Sequence, residues 1–445
     1  MHHSRLILLS TIALATCLPE ASAGVPSWLE SDSAKAIAQR TANDFPLTVE
    51  EATALIRADY PDISDSRIRE FIDKKYLETK VIDGQLRVFR KGPRNLKLLN
   101  PEMNGGVTSR GATASAARIS YVDSVLSCIK GENPLGGAHL VRYRFSIDVP
   151  WDEALEGDTL RVWMPLPHES QRQSDIRIVQ ASPASYILSD STKSVHNTIY
   201  FEQPVRHGQT TSFEYSGEFV TRGQYFSPDF IRANIRPYDT ASELYRRYTA
   251  VETPHMPRMT ELALSITGGE TDPYRCSEMV YDYIISHYLW AGAREYSTIS
   301  CIPEYVVREG HGDCGQVSLL YISLMRSLGI PARWESGWML HPGEKNYHDW
   351  AEVYFEGVGW VPVDVSFGRY SNSDDPAVRN FYSTGMDSHR FASNRGVCGS
   401  LYPEKRFVRS ETVDMQPGEV ECSKGNLFYP AWNQKLELLE ITPVR

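Results

Sequence analysis

A glycine-flanked cysteine at the start of an amphipathic helix constrains this chain more than any other feature. Asp313 is a favoured N-cap residue, so the helix is predicted to begin at Cys314. Gly329 supplies the C-terminal stop. Cys314 lies in the first turn, outside the apolar stripe, where the helix dipole and the unpaired amides favour a thiolate. The stripe recurs at helical spacing and consists of Val317, Leu320, Tyr321, Leu324, Met325 and Leu328.

Two predicted strands downstream carry the partners that a nucleophilic cysteine requires. His348 opens the first strand, and Asp364 ends the second one after a glycine-containing turn. A base activates the thiol and an acid orients the base, so we interpret Cys314, His348 and Asp364 as one constellation. His311 is a competing base, but it lies just before the cysteine on a glycine loop without an evident orienting group.

The loop between the two strands decides whether the acid can reach the imidazole. If residues 356–358 form a three-residue hairpin loop, Phe355 pairs with Gly359, and Asp364 shares a face with His348. A two-residue loop would instead place the carboxylate on the opposite face of the sheet. We therefore expect a carboxylate–imidazole hydrogen bond of about 2.7–3.0 Å if the three-residue loop forms.

A dinucleotide-binding interpretation of the same region is weaker. Gly310, Gly312 and Gly315 match the spacing of the glycine fingerprint, and Glu335 follows at a suitable distance. That motif needs a parallel βαβ unit, whereas the segments after this helix are predicted to be antiparallel. The seven cysteines also contain no C-x-x-C pair, which argues against structural zinc. We expect no cofactor and no metal.

Four sequence blocks in this region make a family resemblance recognisable. They are Gly-Asp-Cys-Gly at 312–315, Leu-Gly-Ile-Pro-Ala-Arg at 328–333, His-Asp-Trp-Ala-Glu-Val-Tyr at 348–354 and Gly-Trp-Val-Pro-Val-Asp at 359–364. In this order and spacing they resemble the core of the bacterial transglutaminase-like superfamily. The resemblance implies a papain-like α+β core in which Cys314 is the nucleophile, His348 the base and Asp364 the orienting acid. Where the family usually has Asp-Pro-Thr, this chain has Asp-Val-Ser.

The resemblance also implies a reaction. A cysteine thiolate attacks an amide carbonyl and forms a thioester, which water hydrolyses or an amine resolves by cross-linking. Hydrolysis, as a peptidase or amidase, is favoured over transfer. The oxyanion is expected to bind the backbone amide of Cys314 and a side chain of Trp290, with Tyr288 and Tyr296 as alternatives. A non-catalytic binding scaffold on the same fold is the alternative class, and the intact triad argues against it.

The remaining sequence predicts two further units ahead of the core. Thr48 and Glu51 form a capping-box pattern, and Asp83-Gly84 is a hairpin signal, so the first unit is a helical module with a hairpin. Residues near 143–149 alternate apolar and polar, which predicts a small antiparallel β-sandwich. The predicted organisation is a signal peptide (1–23), an N-terminal helical module (24–102), a linker (103–118), a sandwich (119–225) and a catalytic domain with a C-terminal extension (226–445).

The N-terminal sequence and the composition limit where the protein is located in the cell and what it can bind. Arg5 precedes the apolar run 6–18, and Ala-Ser-Ala at 21–23 predicts cleavage after Ala23 and a periplasmic or secreted protein. That run is too short to span about 30 Å of hydrocarbon, and no transmembrane segment is expected. The net charge of −10 disfavours nucleic acid, although two helices followed by a hairpin would also fit a winged helix. The expected substrate is a peptide, a protein or a cell-wall peptide.

An exported protein can form disulfide bonds, and two cysteines of the polar C-terminal region are candidates. Cys398 and Cys422 flank a turn-rich stretch in which a bridge is possible, with two free thiols as the alternative. Cys314 must stay unpaired in either case, because a nucleophile needs its thiolate.

Overall fold

The computed structural model describes residues 27–154, 156–252 and 254–444. The predicted signal peptide and cleavage site lie outside the described residues. Within these ranges, no helix combines the length and the apolar composition that a membrane span requires. The architecture mixes helices with antiparallel sheets, as the predicted α+β class requires.

The N-terminal module packs short helices against a three-stranded sheet. Thr48 and Glu51 form the predicted capping box, and Asp83 and Gly84 both take positive φ angles in a tight two-residue turn. Ile56, Ile68, Phe71, Leu77 and Leu96 form its core. Its elements are α1 (Ser27–Asp44), β1 (Leu47–Thr48), α2 (Val49–Asp59), α3 (Asp65–Asp73), β2 (Thr79–Ile82), β3 (Gln85–Val88) and α4 (Gly92–Leu99).

A β-sandwich follows one further helix. Alternate residues of its first long strand are buried, among them Tyr143, Phe145 and Ile147, because one face of each sheet covers the core. The elements are α5 (Ala116–Leu126), β4 (Leu135–Val149), β5 (Thr159–Pro165), β6 (Gln173–Ser182), β7 (Ile187–Leu188), β8 (Thr198–Pro204) and β9 (Thr211–Tyr225).

The next unit packs helices on a four-stranded sheet of order β14-β13-β12-β16. Its elements are α6 (Pro228–Asn234), α7 (Glu243–Thr249), α8 (Thr260–Thr267), α9 (Pro273–His287), β10 (Leu289–Trp290), α10 (Ile302–Glu309), β11 (His311–Gly312), α11 (Cys314–Ser327), β12 (Ala332–Met339), β13 (Asn346–Phe355), β14 (Gly359–Val363), α12 (Pro376–Arg379), β15 (Gly385–Met386) and β16 (Arg390–Asn394).

Helix α11 is the centre of this unit. Every residue from Gly315 to Arg326 is buried, so the predicted apolar stripe faces the core and the more polar face of the helix is covered as well. The helix lies between the sheet on one side and α8, α9 and α10 on the others, and small or hydrogen-bonded polar residues such as Ser323 cover its second face. Complete burial fixes the position of the helix start, where Cys314 lies.

The C-terminal segment returns to the sandwich. Its strands are β17 (Glu419–Glu421), β18 (Asn426–Leu427) and β19 (Asn433–Pro443). Strand β17 pairs with β5, and β19 pairs with β4 along nearly its whole length. The C-terminal extension therefore adds strands to both sheets of the sandwich, and the segment before these strands contacts the four-stranded sheet through Gln416.

Candidate active site

Cys314 lies in the first turn of α11, as predicted. The Asp313 side chain accepts a hydrogen bond from the backbone N–H of Gln316 (3.0 Å), and the Gln316 side chain accepts one from the backbone N–H of Asp313 (3.1 Å). This capping box satisfies two of the otherwise unpaired amides and fixes the helix start. The remaining amides of the first turn have no partner within the helix.

His348 and Asp364 form the predicted hydrogen bond. Phe355 pairs with Gly359, which confirms the three-residue loop and the register. The distance from His348 Nε2 to Asp364 Oδ2 is 2.6 Å. The other carboxylate oxygen, Oδ1, accepts hydrogen bonds from the backbone N–H (3.1 Å) and the hydroxyl (2.7 Å) of Ser366. Both carboxylate oxygens thus have donors, which fixes the plane of the group.

A buried arginine that the sequence analysis missed lies beside the same carboxylate oxygen that bonds His348. Arg390 Nη2 lies 3.6 Å from Asp364 Oδ2 and donates to Asp387 Oδ2 (2.6 Å). Burial alone would raise the pKa of Asp364, but His348, Arg390 and Ser366 lower it below its ordinary value. Asp364 is therefore an anion at neutral pH. A negative charge at this position can stabilise the imidazolium form of His348.

Burial lowers the pKa of His348 below its ordinary value, although the nearby Asp364 carboxylate opposes the shift. The imidazole is therefore neutral at neutral pH, in the form that can accept a proton. Since Nε2 faces Asp364, Nδ1 is the nitrogen that remains for a second partner.

The thiol of Cys314 has a different hydrogen-bond partner from the one the sequence suggests. Among the described residues, Sγ donates to Asp349 Oδ2 at 3.2 Å rather than to His348. Burial raises the pKa of the thiol well above its ordinary value, and Asp349, when it is ionised, and Asp313 raise it further through their negative charge. The resting group is thus a neutral thiol held by Asp349, a residue that the sequence analysis did not single out.

Three of the four predicted site residues nevertheless share one cleft, and the fourth, Asp364, lies behind His348. Cys314, His348 and Trp290 line a cavity of about 640 Å³. A second cavity of about 710 Å³ also contains Cys314 and Trp290, together with Asn346 and Tyr347, which the two cavities share. The thiol therefore lies at the junction of two halves of a cleft, a position that leaves room for substrate on both sides of a reacting bond.

The three aromatic candidates for oxyanion binding differ in position. Trp290 lies on β10, which pairs in parallel with β11 just before the nucleophile, and it borders both cavities. Tyr288 is buried in the core beside Tyr283. The Tyr296 hydroxyl donates to Asp313 Oδ1 (2.6 Å), so it supports the N-cap. Trp290 is the candidate that this placement favours.

Gly315 is required by close packing beside the thiol. A Cβ atom there would lie 2.3 Å from the Tyr296 hydroxyl and 2.7 Å from Asp349 Oδ2. We expect Gly315→Ala to lower both activity and stability, the latter by about 1–3 kcal/mol, because these groups must move. Thermal unfolding and kcat/KM measure the two effects. Gly425→Ala, where a Cβ would meet nothing within 4 Å, is the control and should behave like the wild type. Equal behaviour of the two variants would contradict this packing argument.

The N-terminal module forms hydrogen bonds with the loop that follows Trp290. Asn95 and Gly292 exchange two hydrogen bonds of 2.9 Å between side chain and backbone. Asp44 Oδ2 accepts from the backbone N–H of Glu295 (2.8 Å). Helix α4 and the residues just before it also line the larger cavity, so this module contributes one wall of the cleft.

Arg110, in the segment predicted as a linker, joins β10 to β11. Its guanidinium Nη2 donates to the carbonyls of Leu289 (2.9 Å) and Gly312 (2.6 Å). Burial lowers the pKa of Arg110 to about 10, which still leaves a cation at neutral pH. A buried positive charge beside the first turn of α11 favours negative charge on the Cys314 side of the cleft.

The other residues considered from the sequence have structural surroundings. His311 is buried against Tyr305, and burial lowers the pKa of His311 to about 4. Glu335 accepts from Trp350 (2.6 Å) and pairs with Arg172 of the sandwich. Within the described ranges, no group of three or more His, Cys, Asp or Glu side chains is arranged to hold a metal ion.

The disulfide considered from the sequence does not form. Cys398 and Cys422 are both free thiols, Cys398 exposed and Cys422 buried. Cys422 packs in the sandwich core, away from the surface on which Cys398 lies, so the alternative of two free thiols is the correct one.

Comparisons with known proteins give relatives of low identity. An uncharacterized protein of Haemophilus influenzae is 22% identical over 337 residues, which cover 66% of this chain and 89% of that protein. The uncharacterized protein YebA of Bacillus subtilis is 27% identical over 168 residues, 32% of this chain and 22% of that protein.

Two solved structures resemble the chain at 14% identity. One, described as a candidate cysteine protease of Cytophaga hutchinsonii, has a TM-score of 0.45 and covers 69% of this chain and 94% of its own. The periplasmic domain of TgpA from Pseudomonas aeruginosa has a TM-score of 0.27 and covers 58% of this chain and 92% of its own.

The family model that matches is that of the Transglutaminase-like superfamily, over residues 260–365. This range runs from α8 past the end of β14 and includes Cys314, His348 and Asp364. Residues 260–365 therefore match the core of the transglutaminase-like superfamily.

Proposed function

We propose that this chain is an exported cysteine enzyme that cleaves an amide bond of a peptide or protein through a thioester on Cys314. The observation that carries the proposal is the His348–Asp364 hydrogen bond of 2.6 Å in a cleft that also contains the Cys314 thiol at a helix start. An oriented imidazole beside such a cysteine is the arrangement that nucleophilic catalysis needs.

The first step transfers the thiol proton and forms a carbon–sulfur bond. The Cys314 side chain turns from Asp349 toward Nδ1 of His348, which accepts the proton as the sulfur attacks the carbonyl carbon. Asp364 stabilises the imidazolium through Nε2. The negative charge that develops on the carbonyl oxygen is placed between the backbone N–H of Cys314 and the Trp290 indole N–H.

The second step breaks the carbon–nitrogen bond. The imidazolium of His348 gives its proton to the departing amine, and the acyl group stays on sulfur as a thioester. A water molecule then loses a proton to His348 and attacks the thioester, which releases a carboxylic acid and returns the proton to Cys314. An amine in place of water would give cross-linking by the same sequence of proton transfers.

The shape of the cleft supports an extended substrate. Space continues on both sides of Cys314, and the two cavities together exceed what one amino-acid side chain fills. Cations of the N-terminal module, including Arg90 and Arg94, line the larger half. A peptide chain crossing the thiol, in the periplasm or outside the cell, fits this arrangement.

Product analysis tests the proposal. The protein is incubated with a peptide library and a labelled primary amine, and the products are identified by mass spectrometry. We expect new carboxyl termini or deamidated side chains that depend on Cys314, with little incorporation of the amine. Amine incorporation as the main product would make the chain a transferase instead. No product that depends on Cys314 from any peptide would refute the proposal.

A further inference from the structure

The carboxyl group that contacts the Cys314 thiol belongs to the neighbour of His348 on strand β13. His348 and Asp349 are consecutive on β13, so their side chains leave the sheet in opposite directions. Asp349 points toward α11, where its Oδ2 atom lies 3.2 Å from Sγ. The mechanism proposed above uses the imidazole and leaves the carboxyl without a role.

The surroundings of Asp349 fix which of its oxygens faces sulfur. Gln416 Nε2 donates to Oδ1 (2.6 Å) and also to the carbonyl oxygen of His348 (3.1 Å). Oδ1 is therefore the acceptor oxygen, and Oδ2 is the one directed at Cys314. An amide in the same place would keep its oxygen on Gln416 and turn its NH₂ group toward the sulfur.

A second carboxyl group interacts with Asp349 and competes for the same proton. Asp414 Oδ1 accepts from Ser336 Oγ (2.7 Å) and from the backbone N–H of Met415 (2.7 Å). Its Oδ2 atom is buried and has no donor among the described residues. Two buried carboxyl groups in contact cannot both ionise easily, so the pair retains one proton.

The electrostatics place that proton on Asp349. Burial, then the charges of Asp414 and Asp313, raise the pKa of Asp349 well above its ordinary value. Burial also raises the pKa of Asp414, but hydrogen bonds with Ser336, with the Met415 backbone and with the Asp349 carboxyl group oppose the shift. Asp349 is thus a neutral acid that can donate a hydrogen bond at neutral pH.

We propose that neutral Asp349 is a second catalytic residue, which donates a hydrogen bond from Oδ2 to the Cys314 sulfur and so stabilises the thiolate. This inference rests on the proposed nucleophilic role of Cys314. When the thiol proton moves to His348, the carboxyl group turns from acceptor to donor. Loss of the carboxyl proton at alkaline pH places an anion 3.2 Å from sulfur and opposes thiolate formation.

Other titratable and charged groups face this carboxyl pair from each neighbouring element. Asp313 and Cys314 approach from the start of α11, Asp414 from the C-terminal segment, and the Tyr296 hydroxyl from the loop after β10. Arg110 supplies the nearby positive charge that acts on Asp313 and Cys314. Arg409 acts on Asp414, and Lys91 acts on Asp313. The charges that act most strongly on Asp349 itself are those of Asp414 and Asp313, which favour retention of its proton as the pH rises past neutrality.

Alkylation of Cys314 by iodoacetamide tests the inference without any substrate. The rate is followed across the acid-to-alkaline range by mass spectrometry of the peptide that contains Cys314. The variants are Asp349→Asn, which keeps a donor and cannot ionise, and Asp349→Leu, which has a similar shape and no donor. Asp62→Asn, an exposed acid of the N-terminal module, is the control.

At neutral pH we expect Asp349→Leu to react about tenfold more slowly than the wild type, since a hydrogen bond to a charged group is lost. Asp349→Asn should react at a rate near that of the wild type at neutral pH. At alkaline pH it should lack the second inflection that ionisation of Asp349 imposes on the wild-type curve. The control should follow the wild type throughout.

Two results would overturn the inference: superimposable pH curves for the wild type and Asp349→Asn, or unchanged neutral-pH reactivity of Asp349→Leu. Circular dichroism identifies a leucine variant that fails to fold, and the asparagine curve then decides alone. If the curves differ as expected while no peptide is turned over, the proposed function fails and the role of Asp349 at the sulfur stands.

Discussion

Replacing Cys314 with alanine is expected to abolish turnover, with kcat/KM reduced by about 10⁴-fold or more, because no other group can form the thioester. The fold should be retained, since the thiol contacts Asp349 by one hydrogen bond and the capping box of α11 uses Asp313 and Gln316 instead. Steady-state kinetics on a cleavable peptide and thermal unfolding measure the two effects.

Cys128→Ala is the matched control for this experiment. Cys128 is exposed and lies after α5, remote in sequence from the cleft. It should retain wild-type kinetics. Near-normal turnover by the Cys314 variant would rule out a covalent mechanism at this residue, whatever its effect on stability.

The second large effect concerns the orienting acid. Asp364→Ala is expected to lower kcat/KM by about 100-fold or more, because His348 loses the group that fixes its ring and stabilises its cation. The substitution also changes the pH dependence. The Asp364 carboxylate raises the pKa of His348, so its removal lowers that pKa further. The acid limb of the kcat/KM profile, where the imidazole becomes protonated, should move to lower pH.

Ser366→Ala separates this effect from a general disturbance of the loop. Its hydroxyl donates to Oδ1 of Asp364, while His348 uses Oδ2. We expect activity within about threefold of the wild type, since the oxygen that faces the imidazole keeps its partner. A loss as large as that of Asp364→Ala, or an unshifted acid limb in the alanine variant, would contradict the assigned role of the acid.

Short-range patterns predicted the part of the site that is local in sequence. The N-cap at Asp313, the helix start at Cys314 and the three-residue loop that aligns His348 with Asp364 all follow from spacing and turn chemistry. These features depend on residues a few positions apart, and their backbone geometry leaves few alternatives.

The residues that sequence reasoning missed come from distant segments or from an incomplete use of strand geometry. Arg390 reaches Asp364 from β16, and Asn95 reaches the Trp290 loop from another module, so no local pattern relates them to the site. Asp349 could have been found, because strand alternation directs it away from His348 and toward α11. Its carboxyl partner Asp414 could not, since it lies in a loop far along the chain.

The burial of helix α11 also depends on distant segments, which a local sequence pattern does not reveal. A helix with one apolar stripe is predicted to have a solvent-facing side, yet every residue of its middle is buried. Ser323 satisfies its hydroxyl by bonding to the carbonyl of Leu319 within the helix, so a polar residue there does not indicate exposure. Only the number of elements packed around the helix decides which faces are covered.

Strand β19, near residue 440, pairs with β4, near residue 140, so the site is assembled from segments that lie far apart in the chain. The segment that leads into this strand brings Asp414 to the carboxyl pair and Trp432 to the wall of the cleft. During synthesis, Cys314 and His348 are added to the chain well before Asp414 and Trp432. The cleft is therefore completed only after Trp432 has been synthesised, well after the nucleophile and its base.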